Sequence, residues 1–367
     1  MAPTDYYLGG LLSVRPAPIP PEALVPATSH RPSDSDIATR GAGVRELGHL
    51  PVRSAFRRPT VPTNAIGVVM NEAPTRPFSN PMLSTLLAAF SDAITQRSLL
   101  MVMLAPKSAQ ELELAETYLI GGHIDGAILV GLHSGNPLPN RLREHGIPAV
   151  LCGHRARGNL ASCIDCNNRR GAEMAVEHLV SLGRRRIATI SGDLDRASAF
   201  DRRMGYRDAL VAAGIDLDPT LEEVADYLPD RAQMAMERLM LNHPEVDAVF
   251  AASDLMASAA IRVIQATGKR VPEDVAVVGF DDSPLAAAAN PPLTTVRQPL
   301  DEMGHEALNL LMLEMHDPTE APREVILTTE LIVRESTVGA RAMGAVGQGQ
   351  ATAREAVVQV SPLDTIS

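Results

Sequence analysis

Short apolar runs alternate along most of this chain with longer stretches in which apolar positions recur every third or fourth residue. AIGVVM (65–70), LLMVML (99–104) and GAILV (126–130) are apolar almost throughout, as strands are when helices cover both faces of their sheet. Between them, 80–96 carries Leu83, Leu86, Leu87, Phe90 and Ile94 at helical spacing. A helix over 108–120 opens on Ser108 and Glu111, a Ser-x-x-Glu capping box. The alternation continues: helices are predicted over 138–145, 167–182, 197–213, 231–241, 255–267 and 299–315. Strands are predicted over 148–152, 186–191, 222–225, 247–251, 275–278 and 293–296, with one or two extended segments in 324–333. Such βαβα order implies an α/β fold with parallel sheets and right-handed crossovers. Two successive units of this kind predict two lobes with a ligand cleft between them, in line with 367 residues being more than one core usually holds.

Composition narrows the function classes. With 45% hydrophobic and 21% charged residues, the chain resembles an ordinary soluble α/β protein. Its net charge of −11 does not favour nucleic acid as a whole, so any DNA contact has to come from a local basic patch. No apolar run is long enough to span a bilayer, and 1–24 lacks the basic start and apolar core of a secretory signal. Three cysteines fit a reducing cytoplasm better than a disulfide framework. Cys163 and Cys166 form a CxxC, but within a strand these positions face opposite sides; a structural role outweighs metal or redox use. Walker, GxGxxG, HExxH and GxSxG signatures are missing. With no nucleophile, base or metal set to be found, the chain is read as a non-enzyme that needs no cofactor.

The polar residues that end apolar runs carry more information. In VPEDVAVVGFDDSPLAAAANPPLTTVRQ (271–298) the run 275–278 leads through Gly279 and Phe280 to Asp281 and Asp282, and a second run leads to Gln298. Ligands of open α/β sheets bind beyond the carboxyl ends of the strands, which makes Asp281 and Gln298 candidates, together with 191–195, Ser253 and Asp254. Carboxylates and amides at a cleft suit a hydroxyl-rich ligand such as a sugar or nucleoside. The plainer reading makes Asp254 and Asp282 helix caps, and for both it is the stronger one.

Several of these stretches occur together in one known family. AVFAASDLMASAAIRVIQATGKRVPEDVAVVGFDDSPLAAAANPPLTTVRQPLDEMG closely resembles the effector-binding core of LacI/GalR-type transcriptional regulators, and so do IDGAILVG, GIPAVL, GAEMAVEHLVSLGRRRIATISGDLD, RRMGYRDAL and the closing LIVREST. The resemblance runs over about 64–338. It implies a two-lobed, periplasmic-binding-protein-like α/β fold with three crossovers, a homodimer, and a sugar-like effector in the cleft that controls operator binding. Lobe boundaries follow at 64–161 with 292–322, and 162–291 with 323–338. On matching positions the resemblance makes Asp281 the effector-binding aspartate and Gln298 the cleft glutamine. Ser253 replaces an asparagine, Arg202 matches an arginine of an Arg-x-Arg-x-x-Gly segment, and Phe200 occupies the ligand-gripping arginine position before it. Phe78 and Asn80 fall at the Asn-Pro turn, where Met82 and Leu83 replace aromatics.

The N-terminus departs from the family. Residues 1–62 hold ten of the 28 prolines, a disorder-like composition, and the helix-turn-helix signature is not found there. A short helix is possible at 43–48. RELGHLPVRSAF (45–56) resembles the end of a headpiece and its hinge, which assigns 1–45 to an irregular segment, 46–63 to a hinge-like linker and 339–367 to a tail. Arg53, Ala55, Arg57 and Arg58 are the DNA-contact candidates, with Arg58 in the place of the leucine that wedges into the minor groove. A solvated linker is the plainer reading of this basic cluster. The alternative function is a cytoplasmic ligand-binding module that has lost DNA binding.

Overall fold

The computed structural model describes residues 62–70, 80–133, 135–153, 161–317 and 321–339, all within one unit, Phe56–Ser367. The expectations for 1–45, nearly all of 46–63 and the tail lie outside these residues, as do Phe78, Arg53, Ala55, Arg57, Arg58 and the possible helix at 43–48.

The first lobe is built from β1 (Ala65–Met70), α1 (Pro81–Gln96), β2 (Leu100–Leu104), α2 (Ala109–Ile120), β3 (Gly126–Val130), α3 (Leu138–Glu144), β4 (Ala149–Cys152) and β5 (Ser162–Cys166). The second contains α4 (Asn168–Ser181), β6 (Ile187–Ser191), α5 (Ala197–Ala212), β7 (Glu222–Val224), α6 (Pro229–Asn242), β8 (Ala248–Ala251), α7 (Asp254–Ala266), β9 (Ala276–Asp281), the short α8 (Pro284–Ala288) and β10 (Thr294–Arg297). The chain then crosses back through α9 (Leu300–His316) and β11 (Glu324–Leu327), and ends in β12 (Glu330–Ile332). Two six-stranded sheets result, ordered β11-β5-β4-β3-β1-β2 and β12-β10-β9-β8-β6-β7. Every pairing is parallel except β10 with β12.

This is the expected two-lobed α/β fold with three crossovers, but each crossover is displaced from its predicted position. Ser162 pairs with Val150 and Val325 with Ile164, so β5 and β11 belong to the first sheet. Thr294 pairs with Val278, so β10 belongs to the second. The lobes therefore exchange near 167, 298 and 328, because hydrogen-bonded pairing decides which sheet a strand joins, and nothing in a short apolar run names its neighbours.

Each sheet is a two-sided core. In the first, α1 and α9 pack on one face through Leu86, Phe90, Ile94, Leu308 and Leu311, and α2 and α3 on the other through Leu119, Leu138 and Leu142. In the second, α4 and α5 cover one face, α6 and α7 the other. Cys163 and Cys166 lie in cores on opposite faces of β5, as strand geometry requires. Among the described residues no helix is long and apolar enough to cross a membrane.

A cleft between the lobes as candidate effector site

The carboxyl ends of the strands in both sheets open onto one cleft of about 1210 Å³, counting space open to solvent at its mouth. With that open space included, it lies above the ~300–1,000 Å³ usual for small-molecule sites. Asn80, Met82, Leu83, Leu132 and Met303 line it from the first lobe, and Arg196, Ser198, Tyr227 and Ser253 from the second.

Its floor is a connected polar network, anchored at the first two crossovers by Cys166, Asn168 and Gln298 and completed from the second lobe by Arg202 on α5 and Asp281 at the end of β9. Asp281 ends β9 with φ of 116°, a conformation costly for a non-glycine residue. Its Oδ1 accepts from Gln298 Nε2 at 2.7 Å and lies 3.4 Å from Arg202 Nη1. Arg202, 4% exposed, donates to the Ala252 carbonyl at 2.7 Å and to Asn168 Oδ1 at 2.8 Å. Its guanidinium lies 3.6 Å from the centre of the Phe280 ring, a cation–π arrangement. Asn168 donates in turn to Asp165 at 3.0 Å. The Cys166 thiol, whose pKa burial pushes well up so that it keeps its proton, donates to Gln298 Oε1 at 3.2 Å. A buried network of this kind is rigid when every member is satisfied, so it presents the cleft with oriented amide and carboxylate groups.

The rim contains a strained aromatic. Asp226 and Tyr227 both have left-handed φ, 51° and 60°, and Asp226 is tied to Arg231 by an ion pair. Gly192 makes room for the ring, since a Cβ there would come within 2.1 Å of it. The Tyr227 hydroxyl is buried near Ser198 yet makes no well-aligned hydrogen bond.

A periplasmic binding protein-like family model matches residues 176–337. The HTH-type transcriptional regulator CelR of Thermobifida fusca is 42% identical over 305 residues, covering 82% of this chain and 89% of that protein. A solved LacI family transcriptional regulator from Mycobacterium smegmatis superimposes with a TM-score of 0.66 at 26% identity, over 74% of this chain and 98% of its own. The chain belongs to the LacI family of transcriptional regulators. It is accordingly not an enzyme. A solved CelR–cellobiose complex is similar at a TM-score of 0.72 and 39% identity, over 84% of this chain and 92% of that one. The ribose operon repressor of Escherichia coli K12 is 29% identical over 307 residues, 83% of this chain and 91% of that protein.

Within this LacI-family member, Asp281, Gln298, Ser253, Arg202 and Asn80 all come to the cleft. Phe200 does not: it is 50% exposed and outside the lining. Ser198 and Arg202, four residues apart, share the cleft face of α5, whereas Phe200, two residues from each, points away. Ser253 lies in the wall and also caps α7, accepting from Met256 N at 3.3 Å. Asn80 likewise caps α1 through Met82 N at 3.0 Å.

The other carboxylates have different duties from those expected. Asp254 is not the cap of α7, since Ser253 is; its carboxylate instead ties Ser283 at 2.7 Å and Thr295 at 2.5 Å. Asp282 caps no helix and pairs with Arg297 at 2.7 Å and Arg334 at 2.6 Å, bracing the strands around the last two crossovers. None of 191–195 lines the cleft; the contact from that loop comes just beyond it, at Arg196 and Ser198. Asp165 and Asn168 were hidden in what reads as a strand end and a helix start. Tyr227 was hidden in a segment with no periodic signal.

Proposed function

We propose that this regulator binds a sugar of disaccharide size in the cleft, and that binding changes the lobe arrangement controlling its hold on operator DNA. The observation that carries this reading is the buried Asp281–Gln298–Arg202 set facing a large open cleft. A sugar hydroxyl both donates and accepts, so it can give its proton to the Asp281 carboxylate while accepting from Gln298 or Arg202. The Tyr227 hydroxyl adds one more polar group that is without a well-aligned partner, and buried groups of this kind are normally satisfied. Met82, Leu83 and Met303 supply flexible apolar surface for the CH faces of sugar rings. The similar CelR is solved with cellobiose, which makes cellobiose the first ligand to try. The family also carries a homodimer into this reading.

The decisive experiment is an electrophoretic mobility shift of the full chain on the DNA upstream of its own gene, with and without cellobiose. A salt-sensitive shift altered by the sugar is expected. A sugar-induced rise in melting temperature with no shift at any salt would instead favour a ligand-binding module without operator contact.

The reading also fixes a pH dependence. Burial pushes the Asp281 carboxyl above its ordinary value, opposed by the Arg202 charge and the Gln298 hydrogen bond. Burial also raises neighbouring Asp254, and the Asp281 charge raises it further, so the pair titrates together. The ionised form accepts hydroxyl protons, so affinity is full at alkaline pH. It falls on acidification well before the ~4 of an ordinary carboxylate. Calorimetric titration with cellobiose between pH 8 and 5 should show this loss; a flat profile would remove Asp281 from the ligand contacts.

A further inference from the structure

Arg196 breaks two rules of helix construction. It is the N-cap of α5 and makes no side-chain capping bond, where Ser, Thr, Asp or Asn would be favoured. It also sets a cation against the positive end of the helix dipole. Its side chain compensates elsewhere, reaching out of the second lobe so that Nη1 donates to the Gly131 carbonyl of the first lobe at 3.0 Å. The side chain is only 13% exposed, and Asp193 lies 3.6 Å from its Nε. Asp193 in turn faces His133 of the first lobe, with Nδ1 3.8 Å away. Asp193 thus touches both the clamp and the opposite wall.

Topology gives these contacts leverage. The crossovers attach at β5, β10, β11 and β12, on one edge of each sheet. Gly131 follows β3, two strands in from β5, and Arg196 follows β6, three strands in from β10. At about 4.8 Å per strand these are roughly 10 and 14 Å from the hinge side. A bond there is lost after a small rotation of one lobe, whereas the floor bonds that Arg202 makes within the second lobe, and the Cys166–Gln298 bond between two crossover segments, survive it.

We propose that Arg196 is a cross-cleft clamp, held by Asp193, that keeps the lobes closed in the absence of effector. It is a positioning residue for the effector cleft and acts through the Gly131 carbonyl rather than by gripping the ligand. Because an effector that fits the closed cleft no longer has to close it, the clamp raises apparent affinity by the fraction of closed protein it maintains.

The test is made first without ligand, so it holds whether or not the effector is a sugar. Spin labels are placed on α2 and α6 through Leu114→Cys and Met234→Cys in a Cys152→Ser background, and their separation is read by pulsed dipolar resonance. The parent should show a component matching the separation in this structure. Arg196→Met should lose that component in favour of longer distances, and Asp193→Asn should shift it less in the same direction. With cellobiose added as probe, Arg196→Met should bind roughly ten- to hundredfold more weakly, the scale of one lost charge-assisted hydrogen bond. An unchanged ligand-free distribution overturns the proposal, whether affinity falls (Arg196 then grips the ligand itself) or stays the same. Should Arg196→Met not fold, Asp193→Asn alone decides on the same distance.

Discussion

Arg202→Met is expected to lower folding stability by about 3–5 kcal/mol, the cost of breaking a buried ion pair at one end. Four partners lose by it at once. Asp281 keeps the Gln298 amide and the Asp254 backbone N–H against its carboxylate but loses the cation. The Ala252 carbonyl and Asn168 Oδ1 lose their donor, and Phe280 loses the cation lying against its ring. Methionine replaces the volume and none of the hydrogen bonds. For a chain of this size the melting temperature should drop by on the order of 10 °C, and the cellobiose response should vanish with it. Differential scanning calorimetry with and without the sugar reads both effects. A variant that melts like the parent would mean that water or the backbone has taken over the guanidinium's bonds. Asp281→Ala is expected to be destabilising for the complementary reason, since it strands the Arg202 charge; Asp281→Asn, which preserves shape and an acceptor oxygen, is the variant for separating ligand binding from stability.

Gly205→Ala is expected to be nearly as damaging, with no charge involved. A Cβ at 205 would come within 2.2 Å of the Arg169 carbonyl oxygen and 2.9 Å of the Ala172 Cβ, where α5 crosses α4 at backbone contact. Neither obstacle is a flexible side-chain tip, so the helices must separate. Overpacking usually costs about 1–3 kcal/mol and sometimes more, and this site belongs at the upper end. Gly146→Ala makes the comparison: its surroundings are open although φ is +71°, so the backbone conformation alone should cost about 1–2 kcal/mol. Urea unfolding followed by circular dichroism ranks the two. If Gly146→Ala proved the worse, backbone strain and not helix approach would set the limit here.

The fold was legible in the sequence because both sheets are parallel apart from one edge pairing and covered on two faces, which makes β1, β3 and β8 unbroken apolar words and β6 and β9 nearly so. The edges were less so. The stretch holding β11 and β12 reads as one or two extended segments with nothing to assign them, yet they belong to different sheets, and only hydrogen-bond pairing separates them. Helix α8, five residues behind Ser283, is too short to show a period. In the site, Asp281 and Gln298 stood out because each ends an apolar run. Asp165 and Asn168 did not, since a buried Asp inside a strand and an Asn in a first helical turn look like ordinary local chemistry. Arg196 could have been found: an arginine directly ahead of a helix, where a small capping residue belongs, is a local misfit, and misfits of that sort point to a role outside the helix. Phe200 was misplaced because position along the chain was matched without asking which face of α5 it occupies.

The three crossovers described for the fold are an odd number, and parity has a practical consequence. A core that changes lobe three times has its first described residues in one lobe and its last in the other. Thr63 is anchored to Asp125 of the first lobe at 2.8 Å, whereas Ser336 is anchored to Val277 of the second at 2.6 Å. Whatever is joined to the two ends is thus carried by different bodies. A donor fluorophore joined just ahead of Thr63 and an acceptor just after Gly339 would report the rotation between the lobes as a change in energy transfer, an optical gauge for the effector proposed above.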